Sequence, residues 1–140
     1  MFNSFFNTLI KKVTFEDVQY AIKNKDYYIL INTMNIEDQN CLIKNTVAYH
    51  MEENMINEFL NQYALKDKTI IVYGKNTNDD TVEKKYKQLT SLGFVNVYVY
   101  SGGMFEWMLL QDIYGVDEFP TSSKVIDILK YKGKRGLFYY

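Results

Sequence analysis

Thr69-Ile70-Ile71-Val72-Tyr73 runs into Gly74-Lys75-Asn76-Thr77-Asn78-Asp79-Asp80; residues 81–92 follow, then Gly93-Phe94-Val95-Asn96-Val97-Tyr98-Val99-Tyr100 and Ser101-Gly102-Gly103-Met104-Phe105-Glu106-Trp107. The first run is apolar and β-branched, as in a strand buried on both faces. A polar loop, a helical period and a second apolar strand complete a βαβ unit. Its strands must lie parallel and be covered by helices. Ligands in such sheets sit beyond the carboxyl ends of the strands, so the loop 74–80 is the first place to look for function.

Outward from this unit the chain alternates in the same way. Thr14-Phe15-Glu16-Asp17 is a capping-box signal, with Val13 and Val18 at the staple positions. Phe15, Val18, Ala21 and Ile22 mark the buried face of the helix it starts, and Asn24-Lys25-Asp26 ends that helix. Tyr27-Tyr28-Ile29-Leu30-Ile31-Asn32-Thr33 reads as a strand. Residues 35–40 connect it to an apolar approach beginning Cys41-Leu42-Ile43. Met51, Met55, Ile56, Phe59, Leu60 and Tyr63 then mark one face of a second helix. After the loop, Asp80-Thr81-Val82-Glu83 reads as another capping box, with Val82, Tyr86, Leu89 and Leu92 inside and Gly93 as the left-handed residue that stops the helix. Residues 104–114 are apolar nearly all round, which predicts a helix buried on several sides. The end of the chain is basic and aromatic: Lys130, Tyr131, Lys132, Lys134, Arg135, Phe138, Tyr139 and Tyr140.

Composition narrows the function classes. The 140 residues suit one domain with a real core. A formal net charge of -1 gives no global field toward nucleic acid or acidic lipid. The single cysteine, Cys41, excludes an internal disulfide and fits a reducing compartment. No apolar run approaches the roughly 20 residues of a membrane span. The start has neither a basic region nor a cleavage-like site, which argues against a secretory signal. The expected location is therefore the cytoplasm, or a virion if the source is a virus. Abundant Lys, Asn, Ile and Tyr with one proline is the bias of an AT-rich genome, such as that of a parasite, a bacterium or a large DNA virus.

The pieces Gly93-Phe94-Val95-Asn96-Val97-Tyr98 and Gly102-Gly103-(x3)-Trp107, following a strand that ends in Tyr73, together resemble a rhodanese-like domain. The resemblance extends weakly back to about Val13. It implies an α/β fold with a mainly parallel five-stranded sheet sandwiched between helices. It also implies an organisation of an N-terminal amphipathic segment 1–12, a rhodanese-like domain 13–120 and a basic, aromatic extension 121–140. Residues 41–48 resemble the family's short third strand and its approach. In active members the residue after the strand's Tyr is a cysteine that carries a persulfide; here it is Gly74. The family's Asp-x-Arg brace corresponds to Asn32, Thr33 and Met34, without charge. The phosphatase variant's Cys-(x5)-Arg matches at neither end.

The loop therefore reads as a degenerate active site formed by Gly74, Lys75, Asn76, Thr77, Asn78, Asp79 and Asp80. Its backbone still makes an anion nest at a helix start, but Asp79 and Asp80 predict poor anion binding. Those carboxylates could suit a divalent cation; the plainer role for Asp80 is the helix N-cap. Cys41 reads as a small buried hydrophobe, since it lies outside the loop. His50, alone, reads as a surface or helix-start residue. Glu106 could act as a base but has no partner legible in the sequence. Trp107 reads as core filler, and Gly102 and Gly103 as the close start of a helix. No catalytic residue, cofactor or metal is expected. The expected function is a catalytically inactive module for protein interaction, assembly or regulation. The alternatives are a sulfurtransferase-type enzyme with a non-standard nucleophile, or a pseudo-enzyme binding a small ligand at 74–80. Phe2, Phe5 and Phe6 recur at helical spacing, and with Phe138, Tyr139 and Tyr140 they are the candidate anchors for a protein partner or second copy. No nucleic-acid partner is expected. The short amphipathic start also admits a simple structural role, covering an edge of its own domain.

Overall fold

Alternation of side chains along each strand divides the apolar residues between two faces of one sheet. The computed structural model describes residues 9–137. Four strands, β1 (Lys12–Val13), β2 (Tyr28–Asn32), β3 (Thr69–Tyr73) and β4 (Val97–Tyr100), pair in the order β1-β4-β3-β2, all parallel. Helices α1 (Phe15–Lys23), α2 (Tyr49–Asn61), α3 (Thr81–Ser91) and α4 (Gly103–Tyr114) cover the sheet. On one face Leu30, Ile71, Tyr73 and Tyr100 pack with Val18 and Ala21 of α1 and Met104, Trp107 and Met108 of α4. On the other, Ile29, Ile31, Ile70, Val72, Val97 and Val99 pack with Ile56 of α2 and Val82, Tyr86 and Leu89 of α3. This two-sided burial is what a parallel sheet requires.

The sheet has four strands, not five. The approach 41–48 turns instead of extending: Thr46 N–H donates to the Ile43 carbonyl, and Asn45 takes a left-handed φ of 71°. Only isolated bridges remain, Leu30 with Thr46 and Ile43 with Thr121. β1 went unread in the sequence, being two residues long and half exposed.

The helices confirm most of the expected faces and correct their ends. The Thr14 backbone N–H donates to Asp17 Oδ2 at 2.8 Å, the reciprocal arm of the capping box. Gly93 is left-handed as expected. Met51 and Tyr63, read as inward positions of α2, are exposed, and so is Leu92, which lies just past the end of α3. α4 is not buried all round: Met104, Trp107 and Met108 face the core, while Leu109, Ile113 and Tyr114 lie on an open side. Helix period sets one inward stripe, and among the described residues no neighbour buries Leu109, Ile113 and Tyr114 on the other face.

Tyr73 ties β3 to the turning segment. Its fully buried hydroxyl accepts from Ile43 N–H at 3.1 Å and lies 2.7 Å from Thr46 Oγ1, which itself donates to the Ile43 carbonyl. Burial drives the Tyr73 phenol well above its ordinary pKa, so it stays a neutral donor. Tyr73→Phe leaves the buried Ile43 N–H without its acceptor. It is expected to lower the unfolding free energy by about 1–3 kcal/mol, measured by urea denaturation at unchanged m-value.

Candidate functional site

The loop 74–80 leaves the carboxyl end of β3 and enters α3, and it is wound around one side chain. Asp79 Oδ2 accepts from Lys75 N–H at 2.9 Å, and Asp79 Oδ1 accepts from Thr81 N–H at 3.1 Å. The Thr81 hydroxyl also donates to Asp79 Oδ1, with Thr33 Oγ1 2.8 Å away. Asn76 Oδ1 accepts from Asn78 N–H at 2.9 Å. Three of the amides at this helix start, those of Lys75, Asn78 and Thr81, are thus taken by the side chains of Asp79 and Asn76. Both carboxylates were expected to face this spot; one does. Asp80 is exposed and makes no side-chain cap. Asp79 caps α3 from one residue earlier, which overturns the capping box read at Asp80 and Glu83. Sequence pattern offers two adjacent aspartates, and only the tight turn after Gly74 selects between them.

Gly74 is buried, and its surroundings leave no room for a side chain. A Cβ there would stand 2.5 Å from Asp79 Oδ2, 2.5 Å from Val82 Cγ2 and 2.9 Å from Thr33 Oγ1. The second wall of the loop is the start of α4. Met104 N–H donates to the Gly74 carbonyl at 2.9 Å and Phe105 N–H to the Lys75 carbonyl at 2.8 Å. This approach needs glycine at 103, where φ is 66° and a Cβ would lie 2.8 Å from the Gly74 oxygen. Trp107 fills the core behind it, its Nε1–H donating to the Pro120 carbonyl at 3.2 Å.

The uncharged brace has its own chemistry. Asn32, buried, exchanges hydrogen bonds with Gln39: Asn32 Nδ2 to Gln39 Oε1 at 3.1 Å and Gln39 Nε2 to Asn32 Oδ1 at 2.7 Å. Met34 N–H also donates to Asn32 Oδ1. Charge enters from elsewhere. Asp38, buried, lies 3.6 Å from Lys75 Nζ and 3.5 Å from Lys130 Nζ. Lys130 belongs to a 3-10 turn (Ile128–Tyr131) beyond α4, and Asn76 Nδ2 donates to the Tyr131 carbonyl at 2.9 Å. The sequence reading missed both Asp38 and Tyr131. Asp38 sits among polar residues, and Tyr131 sits between lysines; neither pattern signals burial.

The remaining sequence candidates are placed as follows. Cys41 is fully buried and gives its thiol hydrogen to the Ser123 carbonyl at 3.3 Å. His50 is exposed at the start of α2, against the Tyr49 ring. Glu106 does have a partner, Tyr100, whose hydroxyl donates to Glu106 Oε1 at 2.6 Å. Burial, and then this carboxylate, push the Tyr100 phenol far above its ordinary pKa. Among the described residues no three His, Cys, Asp or Glu side chains cluster as metal ligands. Among them also, no helix is long and apolar enough to cross a membrane. Phe2, Phe5, Phe6, Phe138, Tyr139 and Tyr140 lie outside the described residues.

The sequence profile of the Rhodanese-like domain matches residues 14–110, more than half of the chain. The chain belongs to the rhodanese-like family. Several solved structures superpose on it. BH2092 of Bacillus halodurans is 23% identical at a TM-score of 0.57, over 77% of this chain and 78% of its own. Yeast Ygr203w, described as a protein tyrosine phosphatase of the rhodanese family, is 15% identical at a TM-score of 0.55, over 81% and 92%. Human single-domain sulfurtransferase TSTD1 is 13% identical at 0.53, over 72% and 97%. At these identities the likeness concerns the fold. No curated protein is significantly similar in sequence. The rhodanese-like match ends within α4, so the Tyr131 turn over the loop lies beyond it.

Asp79 and Asp80 separate cleanly by substitution. Asp79→Ala strips acceptors from two loop amides and is expected to cost about 1–3 kcal/mol. Asp80→Ala is expected to stay within about 0.5 kcal/mol of the parent. Paired urea titrations read the difference.

Proposed function

We propose that this rhodanese-like domain does not transfer sulfur and serves as an interaction, assembly or regulatory module. The observation that carries the reading is the occupied space at Gly74. In the family as the sequence resembles it, a cysteine at that position lifts a sulfur into the nest. A sulfur nucleophile needs a thiolate held by donors that are free to receive it. Here Asp79 Oδ2 stands where a side chain at 74 would begin, and it already holds the Lys75 amide. The charged Asp-x-Arg brace is replaced by the Asn32–Gln39 amide pair. Cys41, the one cysteine, is fully buried, with its thiol against the Ser123 carbonyl.

A fold kept without its chemistry still offers a rigid scaffold, and fold alone does not fix activity. On this reading the partner is a protein or a second copy. Its contacts would fall on Phe2, Phe5 and Phe6 and on Phe138, Tyr139 and Tyr140, and its setting would be the cytoplasm or a virion. A second reading is supported by one feature. A groove of about 410 Å³ remains beside the loop, lined by Thr33, Asn35, Asn78, Lys132 and Lys134 among others. A pseudo-enzyme could hold a small polar ligand there without any nucleophile.

Purified protein is expected to show no thiosulfate-to-cyanide transfer above background and no persulfide by intact mass. Gly74→Cys alone is expected to stay inactive, because Asp79 still fills the nest. Cys41-dependent turnover in the parent protein would contradict the proposal.

A further inference from the structure

Two open grooves meet at the carboxyl edge of the sheet. The groove of about 410 Å³ beside the loop 74–80 is lined by Lys75, Lys132 and Lys134 among others. A second, of about 500 Å³, lies between α2 and α3, with Tyr49 and Glu52 on one side and Lys84, Lys85 and Gln88 on the other. Thr33, Met34 and Thr81 line both. The Thr81 hydroxyl donates to Thr33 Oγ1 at 2.8 Å, so the end of β2 and the start of α3 are tied where the two grooves join.

The charges along this joined groove divide into spent and unspent. Lys85 is spent on Glu52 at 2.6 Å, and Lys75 lies 3.6 Å from Asp38. Asp79 is spent on the amides of Lys75 and Thr81. Lys84 in one groove and Lys132 and Lys134 in the other are exposed, and among the described residues no carboxylate pairs with them. Against these cations stands one unspent carboxylate, Asp80. In a chain of net charge -1 the groove is thus a local excess of positive charge, and a concave surface focuses such a field.

The lining also indicates the kind of occupant. Asn35, Asn78 and Gln88 are exposed in the grooves, and each side-chain amide both donates and accepts, as a peptide backbone requires of its surroundings. A small anion is served less well, because the Lys75, Asn78 and Thr81 amides are taken. Single-stranded nucleic acid is bound on aromatic stacking platforms. Tyr49 is the one aromatic ring among these lining residues, and it stands against His50. We propose that the joined grooves are a docking site for an extended, acidic peptide segment of a protein partner, with Lys84 at one groove and Lys132 and Lys134 at the other meeting its carboxylates. Such a site presupposes the interaction-module reading of the domain and adds a place on the described surface where the partner sits.

Octaglutamate titrated into the ¹⁵N-labelled full-length protein, followed by amide chemical shifts, tests the site. Saturable shifts are expected at Thr33, Asn35, Gln88 and Lys132, on both sides of the join. Lys84→Gln and Lys134→Gln are each expected to weaken binding about twofold to fivefold, and Asp80→Asn to strengthen it by a similar factor. The opposite signs separate charge from damage, since a variant that loses its fold does not gain affinity. Shifts confined to one groove, or an affinity unmoved by all three variants, would overturn the proposal. So would inorganic phosphate or an octauridylate RNA that binds the same grooves at least as tightly, the first marking a small-anion site and the second a nucleic-acid groove. Absence of octaglutamate binding by a protein that also transfers no sulfur would overturn the groove and leave the module reading standing. Thiosulfate-to-cyanide transfer by the parent would instead overturn that reading.

Discussion

The carboxylate of Asp79 is folded back into the loop that carries it, and the architecture of the site follows from that contact. One oxygen takes the Lys75 amide at the start of the loop and the other takes the Thr81 amide at the start of α3. A helix start and a curled loop favour negative charge by their exposed N–H groups and the helix dipole. In this chain the anion is supplied from within. It closes the loop, caps the helix and leaves residue 74 no space for a Cβ. Glycine at 74 and aspartate at 79 are therefore one structural solution. Asp79 occupies the volume into which a side chain at 74 would project.

The rest of the fold holds that loop at a fixed height. β3 is one of the two inner strands, paired on both sides and covered on both faces, and Tyr73 at its end is locked to Ile43 and Thr46. α4 begins so close to the loop that its first amides bond to loop carbonyls, which only a glycine at 103 permits. The charge at this sheet edge sits on Asp38, where it meets one lysine from the loop and one from the 3-10 turn beyond α4. A buried carboxylate flanked by two cations tolerates its position but depends on both partners staying in place. The polar framework of the site is thus shared between the sheet edge and a segment that lies beyond the family match.

Much of this was legible in the residues, and the exceptions have physical causes. The β2, β3 and β4 strands declare themselves because Ile29 to Ile31, Ile70 to Val72 and Val97 to Val99 are apolar on both faces, which a parallel sheet demands. Thr14 with Asp17 announces α1, because a capping box is a local interaction. The cap of α3 was misassigned by one residue: Asp79 and Asp80 are chemically identical, and tertiary space around Gly74 chooses between them. The fifth strand failed because Asn45 turns left-handed and Thr46 bonds back to Ile43. Tyr131 was hidden among lysines whose long stems let the charges stay in water while the ring is buried. α4 misled through composition, since Leu109 and Ile113 are as apolar as the residues that face the core.

The claim that Asp79 has taken the place of the bound anion can be tested at the amides concerned. A titration of ¹⁵N-labelled protein with sodium thiosulfate, followed by amide chemical shifts at constant ionic strength, reads them directly. The account predicts no saturable shift of the Lys75 and Thr81 amides in the parent protein. It predicts a saturable shift of both in Asp79→Ala, where the nest is vacated. Saturable binding at those two amides in the parent, unchanged by Asp79→Ala, would contradict it.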